Sequence, residues 1–346
     1  MNLSETNSFI KKENQFMPVA SRFHNENKLV KLNDSELDKR LSGDGIAMEV
    51  GPFSVNVLIK FKNVREDFLK IYRDFPFYDE PIVLDHSISV FGRNLFRQYL
   101  RPQAFVETEM NNDTIPLPAK IGMVSLEMGF NWQVAMGCKQ YLMFHAGVVA
   151  RDGIGLIMPA MSGSGKSTLA AGLSFRGWQL HSDEFGLLDL DAGELIPYPR
   201  AVSLKNQSIP VMKEWVSREH DNYEDYFTPA YPGTPKGTIC YLRPPDQSIE
   251  EMHKRTKPNF VILPIFDPNS EPKIRPITKT MAFFRLVASS ANYGDIGERA
   301  FSSIAKIIEE SFVCEIIYPS LDTAVELVEA FIAEHSDPKK AGQDDG

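Results

Sequence analysis

Between Ile154 and Gly177 the chain changes character twice. Ile154–Met158 is a short apolar run of strand character, and Ala160–Gly165 is made almost wholly of small residues. From Lys166 to about Arg176 the pattern is helical, with Leu169, Ala170 and Leu173 on one face and Gly177 placed to end the helix. A strand, a glycine loop and a helix in that order are demanding. The strand needs neighbours in a sheet, and the helix must pack back across that sheet, which predicts an α/β fold.

The residue types in the loop carry a chemical expectation. Small side chains at Ser162, Gly163, Ser164 and Gly165 let successive backbone N–H groups converge on an anion, and the N-terminus of the following helix adds partial positive charge at the same point. The segment departs from the phosphate-binding pattern GxxxxGK[ST] only at its first position, where Ala160 replaces glycine. Lys166 is placed to reach the β- and γ-phosphates of a nucleotide, the Ser167 hydroxyl to ligate Mg²⁺, and Thr168 to sit in the first helical turn. ATP and Mg²⁺ are therefore the expected cofactors.

The flanks narrow this further. Phe144–Ala150 is apolar and Asp152-Gly153 is a two-residue hairpin signal, so the strand at Ile154 is expected to pair antiparallel with the one before it. After the helix, Trp178–Phe185 reads as a strand that delivers two adjacent carboxylates, Asp183 and Glu184, at its end. Asp183 is suited to take the proton of an acceptor hydroxyl and Glu184 to help hold Mg²⁺, although both can face one ligand only if the strand has ended by Asp183. Arg200, Lys205, Lys236 and Arg243 are the candidate cations for substrate or transition-state charge, and Lys236 lies in a Pro- and Gly-rich segment able to close over a substrate.

The rest of the chain sets the frame. Asp and Glu total 46 against 37 Lys and Arg, a net charge of -9, which argues against nucleic acid as a partner. Cys138, Cys240 and Cys314 lie far apart in apolar surroundings and read as buried small hydrophobes. No apolar run is long enough to span a bilayer and no signal-peptide core is evident, so the cytoplasm is expected. Residues 1–45 read as a disordered or mobile polar arm, 46–143 as a smaller β-rich α+β region, 144–334 as the nucleotide-binding domain and 335–346 as a flexible tail. Within 46–143, strands are expected at Ile46–Val50, Phe53–Lys60, Ile82–Phe91 and Ala104–Glu109, a helix at Val64–Phe75, and a long helical stretch at Val124–Phe144.

The run from His145 to Asp189 resembles the catalytic domain of HPr kinase/phosphorylase, a fold akin to PEP carboxykinase. The likeness rests on a histidine opening the strand before the hairpin, on its spacing to Lys166, on Arg176-Gly177, and on the acid pair closing the next strand. More of the chain, roughly Ile46 to Phe331, is similar to the HPr-kinase-related kinases of type A. Those carry a Pro-Ala-x-x-Gly-Ser-Gly-Lys-Ser-Thr cradle, here Pro159–Thr168, Arg-Gly-Trp at Arg176–Trp178, and Ser-Asp-Glu at Ser182–Glu184. Further matches are Pro199–Asn206, Lys236–Thr238, Leu242–Pro245, Asn292-Tyr293 and Gly297–Arg299, and upstream Leu100–Gln103, Glu127 and Asn131-Trp132. The resemblance implies a kinase whose base is Asp183 with His145 beside it, acting on a serine of a peptide or small protein; some relatives act on lasso-peptide precursors. His-Gly is here His-Ala and the second aspartate is Glu184, and no counterpart of the segment tied to phosphorylase activity is found, which favours the kinase direction. A small-metabolite kinase and an ATP-binding adaptor without transfer are the alternatives, and both a monomer and a homo-oligomer fit.

Overall fold

The computed structural model describes residues 29–30, 32–78, 83–109, 114–159 and 163–336. The chain is a mixed α/β protein built around two main sheets.

The first sheet has seven strands. In chain order these are β1 (Leu29–Val30), β2 (Ile46–Val50), β3 (Phe53–Ile59), β4 (Phe77–Tyr78), β5 (His86–Phe91), β6 (Gln103–Thr108) and β7 (Leu117–Pro118), arranged spatially β1-β4-β2-β3-β5-β6-β7. Helices α1 (Asp34–Ser42), α2 (Lys62–Tyr72) and α3 (Gly122–Gly137) pack against it. In α2 the i, i+3, i+4 spacing buries Val64, Phe68, Ile71 and Tyr72, as the sequence pattern predicts.

Two expectations fail here. Residues 34–42, read as part of a mobile arm, form α1: Asn33 caps it by accepting the Glu36 N–H at 3.0 Å, and Leu37 and Leu41, four apart, are fully buried. The long helix expected over Val124–Phe144 stops at Gly137, and β8 (Tyr141–Phe144) follows as a strand. Asn292 enforces the break, donating to the carbonyls of Cys138 and Tyr141 and accepting the Met143 N–H at 3.0 Å.

The second sheet holds β9 (Ala146–Arg151), β10 (Ile154–Pro159), β11 (Gln179–Ser182), β17 (Pro258–Phe266), β18 (Lys273–Pro276) and β19 (Phe312–Tyr318), in the order β11-β9-β10-β17-β19-β18. The hairpin at Asp152-Gly153 pairs β9 antiparallel with β10, as expected, and β10, β17 and β19 run parallel. Alternation along β10 supplies both faces: Leu156 and Met158 meet α4 (Lys166–Ser174) and α10 (Leu321–Ser336), while Ile157 meets α7 (Lys279–Ser289) and α9 (Glu298–Glu310). Two three-stranded sheets complete the fold. One is β13-β12-β8, with β12 Gly186–Asp189 and β13 Leu195–Ile196; the other is β14-β16-β15, with β14 Val202–Lys205, β15 Tyr231–Thr234 and β16 Gly237–Leu242. Helices α5 (Ser208–Ser217), α6 (Asp246–Glu250) and α8 (Tyr293–Ile296) are local. Among the described residues no helix is long and apolar enough to cross a membrane. His335 and Ser336, read as part of a flexible tail, belong to α10, and the His335 ring packs on Phe331 at 4.3 Å; residues 337–346 lie outside the described ones.

The first sheet packs directly on the two three-stranded sheets. The core of the first continues through Tyr141 and Met143 into Leu187, Ile196, Tyr198, Tyr231 and Tyr241. Gly51, in the turn between β2 and β3, shows how tight this junction is: it has φ +56°, and a Cβ there would stand 2.3 Å from the Pro197 carbonyl oxygen. Gly51→Ala is expected to destabilise the whole chain by about 2 kcal/mol or more in urea unfolding, because both the φ and the contact oppose a side chain; an unchanged midpoint would contradict the packing described.

Candidate active site

β10 leads into the glycine loop, of which residues 163 onward are described; Ala160 and the candidate cradle residue Ser162 lie outside the described residues. Gly163 (φ +89°) and Gly165 (φ +87°) both adopt left-handed backbone, which glycine takes at no steric cost. At Gly165 there is also no room for a side chain, since a Cβ would lie 2.6 Å from the Tyr318 hydroxyl. Tyr318 in turn donates to the Ser164 carbonyl at 3.3 Å, and the Gly165 carbonyl accepts the Leu169 N–H at 2.9 Å. The loop is thus fixed from outside by β19 and from within by the start of α4.

Lys166 opens α4 and is 7% exposed. Its ammonium donates to the Asp183 carbonyl at 3.1 Å and lies 4.0 Å from Glu184 Oε2. The acid pair is presented by a turn: β11 ends at Ser182, whose hydroxyl accepts the N–H groups of Glu184 (3.1 Å) and Phe185 (2.9 Å). The strand has therefore ended before Asp183, and alternation no longer forces the two carboxylates apart.

They occupy different surroundings. Asp183 is buried and accepts the Ser203 N–H at 3.2 Å; burial and then the neighbouring Glu184 raise its pKa. Glu184 faces the cavity. Burial acts to raise it, but Lys166 and then His145 outweigh that, and the net shift is downward. His145 meets the acid pair through Glu184: its Nδ1 is 3.5 Å from Glu184 Oε1, and burial and then Lys166 lower its pKa. The chain breaks at His145, where β8 leaves one sheet and β9 enters another, and the His145 N–H is held by the Ser289 carbonyl at 2.7 Å. That break brings the ring into the site.

A cavity of about 850 Å³ gathers most of the candidates: His145, Gly163, Gly165, Lys166, Ser167, Thr168, Glu184, Lys205 and Lys236 all line it. Lys236 sits in a tight hairpin turn between β15 and β16, its N–H donating to the Thr234 hydroxyl at 3.2 Å. Two expected cations are placed elsewhere. Arg200 is buried against Glu127 (3.5 Å) and Asn131, with its guanidinium 5.0 Å from the Tyr198 ring centre. Arg243 is 2.6 Å from both Asp74 and Asp246. Neither lines the cavity.

Sequence reasoning missed Phe266, Tyr318, Asn206, Ser208, Arg218 and Asp322 as cavity residues. For Phe266 and Tyr318 a signal existed. They end β17, the parallel neighbour of β10, and β19, parallel to β17 beyond it, and ligands of such sheets collect at the carboxyl ends of the strands. Among the described residues no cluster of three or more His, Cys, Asp or Glu could hold a metal. Comparison of the sequence with protein-family models and with curated proteins finds no match.

The raised Asp183 pKa has a stability consequence. The folded chain binds this proton more tightly than the unfolded one, so stability is lost as pH rises from the ordinary value of 3.8 through the raised folded value. Asp183→Asn keeps the size and an acceptor for the Ser203 N–H. It is expected to raise Tm at pH 8 and to lose that advantage near pH 4. A lower Tm than wild type at pH 8 would contradict this placement of Asp183.

Proposed function

We propose that the protein is a kinase of the HPr kinase type that transfers the γ-phosphoryl group of ATP to an acceptor hydroxyl, a serine of a peptide or small protein. The observation that carries this reading is the convergence, on one cavity, of a left-handed glycine loop, a helix N-terminus, a buried lysine and the Glu184 carboxylate, whose buried neighbour Asp183 does not line the cavity and has its pKa driven in the opposite direction.

In this mechanism the amides of 163–168 and the Lys166 ammonium hold the phosphates and keep them in place during transfer. Asp183, with its raised pKa, accepts the proton of the acceptor hydroxyl as that oxygen attacks the γ-phosphorus; the bond from phosphorus to the bridging oxygen breaks and ADP leaves. The donors available to Mg²⁺ are the Ser167 hydroxyl and the Glu184 carboxylate, which stays ionised. A small oxygen set suits an ion that keeps several waters and is otherwise held by phosphate. When bound, Mg²⁺ would neutralise charge developing on the phosphate oxygens. Lys205 and Lys236, across the cavity, complete the positive surroundings of the transferred group. Arg200 acts at one remove, by its charge on Asp183, while its guanidinium is held by Glu127.

Incubation with γ-labelled ATP, Mg²⁺ and a cytoplasmic extract is expected to label a protein or peptide on serine. Asp183→Asn should reduce labelling about a thousandfold while ATP binding persists. Label on a small molecule would replace the acceptor class, absence of label would favour a binding adaptor, and near-normal transfer by Asp183→Asn would remove the base assignment.

A further inference from the structure

The cavity is longer than its acid–base end requires. Beyond Ser167 and Thr168 it continues as a slot between α5 and the first turn of α10. The slot walls are apolar, formed by Leu169, Val211, Trp215 and Leu321. Three of these are buried, whereas Val211 is 41% exposed although apolar. The walls are fixed in place. Trp215 donates its indole N–H to the Gly172 carbonyl at 3.1 Å and carries the Arg218 guanidinium 5.0 Å from its ring centre. Gly172 lets Leu321 approach so closely that a Cβ there would lie 2.6 Å from Leu321 Cδ1. At the mouth, Arg218 is held by Asp322 at 2.5 Å and by Glu214 at 3.1 Å.

We infer that this slot receives the nucleobase of the nucleotide, with the exocyclic amino group of the base directed at the Asp322 and Glu214 carboxylates. The inference rests on the triphosphate reading of the 163–168 loop. With the terminal phosphate at Lys166 and the acid pair, the sugar and base must leave in the opposite direction, and there the cavity runs on between α5 and α10. A nucleobase is planar, with apolar faces and a polar edge. Apolar walls beneath a mouth of two carboxylates match both features, and each paired carboxylate oxygen retains acceptor capacity toward a donor. The volume of about 850 Å³ is that of a pocket for a molecule of nucleotide size. The slot therefore favours amino-bearing bases over uracil.

Calorimetry with Mg²⁺ and three probes tests this: ATP, UTP and inorganic tripolyphosphate, each with wild type and with Val211→Trp. The indole at position 211 fills the slot from its exposed wall, and tripolyphosphate binding serves as the internal check that loop and fold are intact. Wild type is expected to bind ATP more tightly than UTP and UTP more tightly than tripolyphosphate. Val211→Trp should weaken ATP about tenfold or more and leave tripolyphosphate unchanged. Undiminished ATP affinity in the variant, equal affinity of wild type for ATP and tripolyphosphate, or equal weakening of both ligands would each overturn the slot assignment. ATP bound no better than UTP by wild type would remove the role of the carboxylates. If wild type binds neither ATP nor tripolyphosphate, the phosphate reading itself fails and the slot assignment falls with it.

Discussion

The site depends on the burial of one ammonium group. Lys166 has almost no access to water, and its hydration is replaced by the Asp183 carbonyl and by the Glu184 carboxylate at 4.0 Å. Burial lowers its pKa, which the two neighbouring acids partly restore. A cation held this way is in deficit of acceptors, and an anion delivered to the loop would supply them. The surrounding architecture serves this arrangement. β11 must end at Ser182 to present the acids, β8 and β9 must part at His145 to bring the ring against Glu184, and the helix must begin at Lys166 so that its N–H groups point the same way.

The first sheet belongs to this arrangement as well. On α3, Glu127 accepts from the Tyr72 hydroxyl at 2.7 Å and faces Arg200 at 3.5 Å, and Asn131 accepts from the same guanidinium. Glu127 is pushed up to about 7 by its burial, against the pull of Arg200. Moving Arg200 to the cavity would strip a buried carboxylate of its partner, at a cost on the order of 3–5 kcal/mol. Arg200 is thus a fixed strut between the two halves, two residues before the β14 strand that lines the cavity through Ser203 and Lys205.

What was legible in the sequence was local. The strand–loop–helix at Ile154–Ser174, the hairpin before it and the acid turn after it are written in short-range signals: apolar period, glycines, Asp152-Gly153, and Ser182 ahead of two acids. What was not legible depends on partners remote in the chain. Helix α1 sits in a polar stretch, and the burial of Leu37 and Leu41 against the β3 side of the sheet, with the Arg65–Asp38 ion pair to α2, gives it a reason to be ordered. The end of α3 at Gly137 is imposed by Asn292, more than a hundred residues later. Arg200 and Arg243 look like any exposed cations in the sequence, and their removal from the cavity follows from Glu127, Asp74 and Asp246, whose positions only the fold sets. Phe266 and Tyr318 were missed because strand ends acquire meaning only once the sheet order is known.

The central claim is that the amides and ammonium at Gly163–Lys166 grip a triphosphate. Isothermal titration of the full-length protein with ATP in the presence of Mg²⁺, beside Lys166→Ala, tests it most directly. The account predicts saturable heat at one site for wild type and its near-complete loss in the variant. No heat from wild type, or identical isotherms for the two proteins, would contradict it.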